Sequence, residues 1–204
     1  SQDLYEGHSD GVGIVGISPA GGTTFKAQGL FGRSVDGLVF DPTRAGRVFA
    51  LERAGVLERD SGGAAAGILV STDSGASFSP AVLAGPNTEL REVFRMSPIA
   101  IAPSGTVYAA LHPQPPGAVA LSRSKDGGAT YAAVWSTLPG DDWSPTGVYV
   151  GAGSAVYLTG WGPSYGLQRS EDEGVTFVPH GGGLAGNALH VNGLAFGPSG
   201  GIAV

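Results

Sequence analysis

The 204-residue sequence contains no cysteine and few charged residues. Without cysteine the chain has no disulfide, no thiolate metal ligand and no thiol nucleophile. This leaves the compartment open, since disulfides are permitted but not required outside the cell. Only 14% of the residues are charged, and 11 lysines and arginines face 17 aspartates and glutamates. No basic cluster that could grip phosphates is present, so nucleic acid is not expected as a partner.

The sequence also lacks an apolar run of about 18 residues, so it predicts no transmembrane segment. Glycine and proline are abundant instead, and the 36 glycines and 14 prolines make up about a quarter of the chain. Both residues interrupt long helices, which nearly excludes a helical bundle. With 42% hydrophobic residues the chain is too apolar to be disordered. The composition therefore predicts a globular domain of many short strands joined by turns.

An octapeptide with the pattern Ser-x-Asp-x-Gly-x-(Ser/Thr)-aromatic occurs three times. The copies span residues 71–78, 124–131 and 170–177. A degenerate fourth copy spans residues 18–25, where Ala20 replaces the aspartate. The first serines of the four copies are 53, 53 and 46 residues apart. A near-constant spacing of this length is the signature of a repeat architecture.

Each position of the octapeptide has a physical reason in a hairpin turn. The carboxylate can accept hydrogen bonds from the backbone of its own turn, and the glycine supplies a positive φ. The hydroxyl can tie the far side of the turn, and the aromatic residue begins the next strand and enters the core. The residues with these structural roles are Ser71, Asp73, Gly75, Phe78, Ser124, Asp126, Gly128, Tyr131, Ser170, Asp172, Gly174 and Phe177.

Short apolar segments recur at fixed distances before each octapeptide. The predicted strands lie at 14–17, 38–42, 48–51, 68–70, 99–103, 107–110, 119–121, 148–151, 156–159, 166–168 and 194–198. Together with the strand after the octapeptide they give four strands per repeat. A repeat of this kind matches a propeller blade, which stacks radially so that each sheet covers its neighbour.

The octapeptide resembles the Asp-box, also called the BNR repeat. This repeat is found in sialidases, xyloglucan-cleaving glycosidases, sortilin-type receptors and photosystem assembly factors. The resemblance extends over most of the chain and implies an all-β fold, a β-propeller of four-stranded antiparallel blades. Residues 1–204 are then a single propeller domain or a propeller fragment. The resemblance implies no activity, because members of the family share the fold and differ in function.

The sequence begins and ends within a repeat, so the first and last blades are incomplete in sequence. Two arrangements are open. In one, the chain closes as a four-bladed ring in which strands from the two ends pair. In the other, a second chain or a further segment completes a larger ring. The second arrangement is favoured, because propellers of the resembling families usually have more than four blades.

The candidate functional surface is formed by the loops at the blade ends opposite the octapeptides. In the resembling enzymes that end holds the active site. More than half of the charged residues fall in these predicted loops, and all four histidines lie in or beside them. The candidate ligand-binding residues are Arg33, Asp36, Arg91, Arg95, Asp142, Trp143, Trp161, Tyr165 and His190. The tryptophans could stack on a ligand, although loops collect polar residues in any protein.

The sequence contains no complete catalytic set. The Arg-Ile-Pro motif of the resembling sialidases is missing, and residues 95–98 (Arg-Met-Ser-Pro) depart from its spacing. A paired-carboxylate glycosidase needs two opposed acids, whereas adjacent Asp141 and Asp142 are more typical of a solvated loop. No ligand spacing for a metal and no phosphate-loop lysine are present. We therefore predict no catalytic residue, no cofactor and no metal site.

The sequence favours a non-catalytic propeller that binds or assembles with a protein or a glycan. The binding surface is expected opposite the octapeptide turns. A glycoside hydrolase of the sialidase-like or paired-carboxylate type is the alternative. The resemblance and the presence of only two lysines favour an extracellular or periplasmic location in a bacterium.

Overall fold

The fold is seen in a computed structural model of the chain. It describes residues 15–17, 26–28, 30, 34–53, 67–84, 99–111, 120–137, 144–161, 166–181, 190–197 and 201–203. In these ranges the regular elements are β-strands, apart from one turn of 3-10 helix at Ala152–Ser154. None of the described segments is a helix long and apolar enough to cross a membrane. The chain divides into two compact units, Ser1–Ala81 and Val82–Val204.

The first unit contains a two-stranded and a four-stranded antiparallel sheet. The strands are β1 (Val15–Ile17) and β2 (Lys26–Gln28) in the small sheet, and β3 (Ser34–Phe40), β4 (Val48–Arg53), β5 (Ile68–Ser71) and β6 (Ser79–Pro80) in the large one. The large sheet follows the chain order, and we call it the first blade. The octapeptide at 71–78 joins its third strand to its fourth.

The second unit contains two further blades and a small hairpin sheet. The strands are β7 (Val82–Ala84), β8 (Ile99–Ile101), β9 (Val107–Leu111), β10 (Ala120–Ser124), β11 (Thr130–Ser136), β12 (Ser144–Val150), β13 (Val156–Trp161), β14 (Leu167–Ser170), β15 (Val178–Pro179), β16 (Ala195–Phe196) and β17 (Ile202–Ala203). Strands β8–β11 form the second blade, and β12–β15 form the third. The final pair, β16 and β17, is antiparallel.

The second blade carries a fifth strand that the repeat pattern does not predict. Strand β7 pairs in parallel with β11, the fourth strand of the repeat pattern, with Thr130 opposite Val82. The equivalent outer strands of the other two blades end at Pro80 and Pro179, whereas β11 continues past Ala133. Proline has no N–H for a ladder and is typical of edge strands. Strand β11 has no proline, and β7 pairs with its first three residues, Thr130–Ala132.

The second strand of each blade is buried on both of its faces. In β4, Val48 and Phe49 alternate in direction, and both are almost fully buried. In the second unit one hydrophobic cluster joins Tyr108 and Leu121 of the second blade to Val148 of the third. Sheets that are covered on both faces by neighbouring sheets are what a propeller requires. The predicted all-β architecture of antiparallel blades is therefore present.

Candidate functional site

The octapeptide turns share one hydrogen-bond pattern. In the turn of the first blade, the Asp73 carboxylate accepts the Ser71 hydroxyl at 2.7 Å and the Ser77 backbone N–H at 2.9 Å. The Ser71 hydroxyl oxygen in turn accepts the backbone N–H of Gly75 at 2.7 Å. The same three bonds recur in the other two blades at 2.7 to 2.9 Å. Each carboxylate is thus bonded within its own turn.

These bonds lower the pKa of the turn carboxylates. The pKa falls from 3.8 to about 2 for Asp73, Asp126 and Asp172. For Asp73 and Asp172 the largest cause is the hydroxyl four residues later, followed by the backbone N–H of that residue. For Asp126 burial is the largest single influence and raises the pKa, but the hydrogen bonds from Thr130, Ser124 and its own backbone together outweigh it. The turn aspartates are therefore charged, structural groups that hold no proton to donate at neutral pH.

The turn end of the third blade is also linked to the second blade. Arg123 donates to the backbone carbonyl of Glu173 at 3.1 Å and to its carboxylate at 2.9 Å. Lys125 contacts the same carboxylate at 2.9 Å. The charged side chains at this end therefore pair with one another across two blades.

The opposite end of the third blade presents an exposed tryptophan. Trp161 ends β13 and lies opposite Ser144, whereas Ser170 of the octapeptide lies opposite Val156 at the other end of the sheet. The Trp161 side chain is 49% exposed. A large aromatic side chain that remains this open offers an apolar contact surface.

Trp161 is held by two residues that come about thirty positions later in the chain. Its indole N–H donates to Oδ1 of Asn192 at 2.8 Å. The His190 ring lies 5.8 Å from the indole, centroid to centroid, at an interplanar angle of 73°. We call these three side chains the Trp161 platform. Because the only polar atom of the indole is bonded within the protein, the exposed part of the ring is apolar.

His190 and Asn192 are both exposed and flank a buried residue, Val191. Val191 packs in a hydrophobic cluster with Tyr157 and Leu167. Its backbone N–H donates to the carbonyl of Gly160 at 3.3 Å. The alternation places the side chains of His190 and Asn192 on the side where Trp161 lies.

The carbonyl of Val191 accepts a hydrogen bond from the Thr146 hydroxyl at 2.9 Å. Thr146 is the extra residue of a β-bulge, because Pro145 pairs with Gly160 while Gly147 pairs with Thr159. A bulge redirects a side chain out of the regular alternation, and bulges are frequent beside functional sites.

The first blade has a bulge at the same place in its first strand, β3. Val35 pairs with Glu52 while Gly37 pairs with Leu51, which makes Asp36 the extra residue. Asp36, a predicted ligand-binding residue, therefore occupies in the first unit the register position that Thr146 occupies in the third blade.

Charge differs between the two ends of the third blade. Arg169, Glu171, Asp172 and Glu173 lie at the turn end. At the Trp161 end, the described segments 144–147, 159–161, 166–168 and 190–193 contain no Asp, Glu, Lys or Arg. Within the described ranges, no three His, Asp or Glu side chains are placed to hold a metal ion. What the Trp161 end offers is apolar surface with amide and imidazole groups beside it.

The structure brings together two of the predicted ligand-binding residues, Trp161 and His190. Asp36 lies in the first unit. Six others lie outside the described residues: Arg33, Arg91, Arg95, Asp142, Trp143 and Tyr165. Sequence reasoning missed Asn192 and Thr146. The polar residues on either side of Val191 were a signal for Asn192, but nothing local marked Thr146.

Solved structures similar to this chain are β-propellers. The GH74 enzyme of Niastella koreensis is 21% identical, with a TM-score of 0.54 over 71% of this chain and 22% of that one. The GH74 xyloglucanase of Xanthomonas campestris is 20% identical, with a TM-score of 0.53 over 71% of this chain and 23% of that one. A YCF48 protein bound to a D1 peptide is 15% identical, with a TM-score of 0.51 over 82% of this chain and 45% of that one. No protein-family model matches the sequence, and no curated protein matches it.

These likenesses confirm the β-propeller fold. The chain spans less than half the length of each of the three proteins. Two of them are glycoside hydrolases and one is bound to a peptide, so the shared fold does not select one function over the other.

Proposed function

We propose that this protein is a non-catalytic binding module of the Asp-box type that recognises a glycan or a protein through the Trp161 platform. The observation that carries the proposal is the half-exposed indole of Trp161, whose N–H is bonded to Asn192. The hydrogen bonds of the three octapeptide turns support the Asp-box assignment. The scarcity of lysine supports an extracellular or periplasmic location.

A fixed aromatic side chain is an effective anchor for a partner. Tryptophan is enriched among the residues that dominate binding free energy, because it buries a large area on contact. The hydrogen bond to Asn192 and the contact with His190 restrict the indole before a partner arrives. A restricted side chain loses little conformational entropy on binding. Either a sugar ring or an apolar peptide side chain fits such a surface.

The five carboxylates at the octapeptide turns are engaged in structural contacts and do not form the pair that glycoside hydrolysis needs. A glycosidase needs two opposed carboxyl groups, one of them protonated. Asp73, Asp126 and Asp172 have pKa values of about 2 and are bonded within their turns. Glu171 and Glu173 are paired with basic side chains at the turn end.

Binding can be tested with xyloglucan, polygalacturonate and an array of short peptides as probes. Trp161→Ala should weaken binding of the recognised probe by about tenfold or more, the usual cost of truncating an anchor. Val178→Ala is the matched control, because Val178 is another exposed apolar residue of the same blade, in its outermost strand. The Val178→Ala variant should bind the recognised probe with the affinity of the wild type.

The proposal fails if Trp161→Ala binds every probe as well as the wild type does. Turnover of a fluorogenic glycoside panel by the purified protein would show that the function is catalytic instead.

A further inference from the structure

Two buried threonine hydroxyls form a hydrogen-bonded chain that reaches Val191, the residue between His190 and Asn192 of the Trp161 platform. Oγ1 of Thr146 and Oγ1 of Thr159 are 2.9 Å apart, and both side chains are buried. Thr146 also lies 2.9 Å from the carbonyl oxygen of Val191. The bulge directs the Thr146 side chain toward Val191, because the extra residue leaves the regular alternation of side-chain directions along the strand.

The directions of these hydrogen bonds follow from the number of protons. A carbonyl can only accept, so the single Thr146 hydroxyl proton points to Val191. Thr159 is then the donor in the contact between the two hydroxyls. Its other acceptor, the carbonyl of Gly147, is more distant at 3.5 Å. The chain of bonds therefore runs from Thr159 to Thr146 to Val191, and each bond polarises the next.

Little else on the backbone of Val191 ties it to the third blade. Its N–H reaches the carbonyl of Gly160 at 3.3 Å, which is long for such a bond. The Thr146 bond is shorter, and it acts on the peptide group that lies between Val191 and Asn192. This peptide group sets the position of the Asn192 backbone, from which the side-chain amide reaches the indole N–H.

We infer that Thr146 is a positioning residue for the Trp161 platform and that Thr159 supports it through the hydroxyl chain. Thr146 acts through the carbonyl of Val191, and so through the backbone from which Asn192 reaches the indole. The consequence for binding rests on the proposed function, whereas the consequence for the indole does not.

The inference is tested by hydrogen exchange of the Trp161 indole N–H, measured by NMR. The protein has three tryptophans, and Trp161→Phe identifies the resonance. Thr146→Val keeps the shape and removes the hydroxyl, so indole exchange should be about tenfold faster than in the wild type. Thr146→Ser keeps the hydroxyl and should restore slow exchange. Thr159→Val leaves the Thr146 proton in place and should accelerate exchange by a smaller factor.

Thr106→Val is the matched control, since Thr106 is buried and its hydroxyl accepts from Ser104 at the turn end of the second blade. It should leave indole exchange unchanged. Affinity for the recognised probe should fall about tenfold in Thr146→Val and recover in Thr146→Ser.

Unchanged indole exchange in Thr146→Val would overturn the inference without reference to any ligand. If Thr146→Val does not fold, unchanged exchange in Thr159→Val overturns it equally, because that hydroxyl is predicted to act through Thr146. Accelerated exchange in Thr146→Val, together with full binding by Trp161→Ala, would leave the positioning role intact and refute the proposed function.

Discussion

Substitution of Gly174, the glycine of the third octapeptide turn, tests how closely the second and third blades pack. Gly174 has a φ of +83°, and a Cβ built on it would lie 2.8 Å from Cδ2 of Leu121 in the second blade. Leu121 is buried in the core that joins the two blades, so its methyl group cannot swing into solvent. Gly174→Ala therefore combines a backbone cost with a steric cost.

The two costs can be separated by a second glycine of the same unit. Gly153 has a φ of +69°, and a Cβ there would meet nothing within 4 Å. Gly153→Ala should lower the free energy of unfolding by ~1 to 2 kcal/mol, the backbone cost of a left-handed alanine. Gly174→Ala carries that cost and an additional ~1 to 3 kcal/mol from overpacking. We expect a total loss of ~2 to 5 kcal/mol.

Urea unfolding with linear extrapolation measures both losses. A third variant, Leu121→Ala, removes the methyl group that the new Cβ would strike. In that background Gly174→Ala should cost no more than Gly153→Ala does in the wild type. Equal losses for the two glycine variants in the wild-type background would refute the steric argument. The steric argument would also be refuted if Gly174→Ala still cost more than Gly153→Ala in the Leu121→Ala background.

Two further perturbations address the charges at the turn end. Because the folded pKa of Asp73, Asp126 and Asp172 is about 2 against the usual 3.8, these groups stabilise the native state above about pH 4, and that contribution is lost as the pH falls toward 2. Replacing one of them by Asn should flatten the acid-unfolding curve in this window, and an unaltered curve would contradict the assignment. Arg123→Ala and Glu173→Gln should each lower the urea midpoint slightly, with a smaller difference from wild type in about 1 M salt. A salt-independent difference would show that packing, not charge, is lost.

Much of the fold could be predicted because the octapeptide is a local motif whose hydrogen bonds all lie within one turn. Asp73 needs only its own turn to satisfy its carboxylate, so the spacing of its copies reveals the blades. The strand before each turn was predicted a little short, since β5 continues to Ser71, the first octapeptide residue. The Ser71 hydroxyl bonds forward to Gly75 while its backbone still pairs with Val48. Strand β7 was missed because its partner β11 lies far along the chain, and pairing of this kind leaves no local pattern.

The site was less accessible to sequence reasoning because its contacts are not local. Trp161 and Asn192 are 31 residues apart, and neither residue type at its position predicts the other. His190 was selected for its position in a predicted loop opposite the octapeptides, and the structure adds its contact with Trp161. Thr146 depends on a bulge, which shifts one residue out of the strand period and so removes the alternation that sequence analysis reads.

The two ends of a blade differ in what they demand of their side chains. At the turn end the backbone groups of a tight hairpin must be satisfied, so the same serine, aspartate and glycine recur in all three blades. At the other end the first and third blades share a bulge, but its extra residue is Asp36 in the first blade and Thr146 in the third. The strand opposite the bulge ends in Arg53 in the first blade and in Trp161 in the third, each paired with a serine. The same backbone thus accepts a charged residue or an aromatic one at this position, which leaves the residues at this end of the blade free to vary while the turn end maintains the fold.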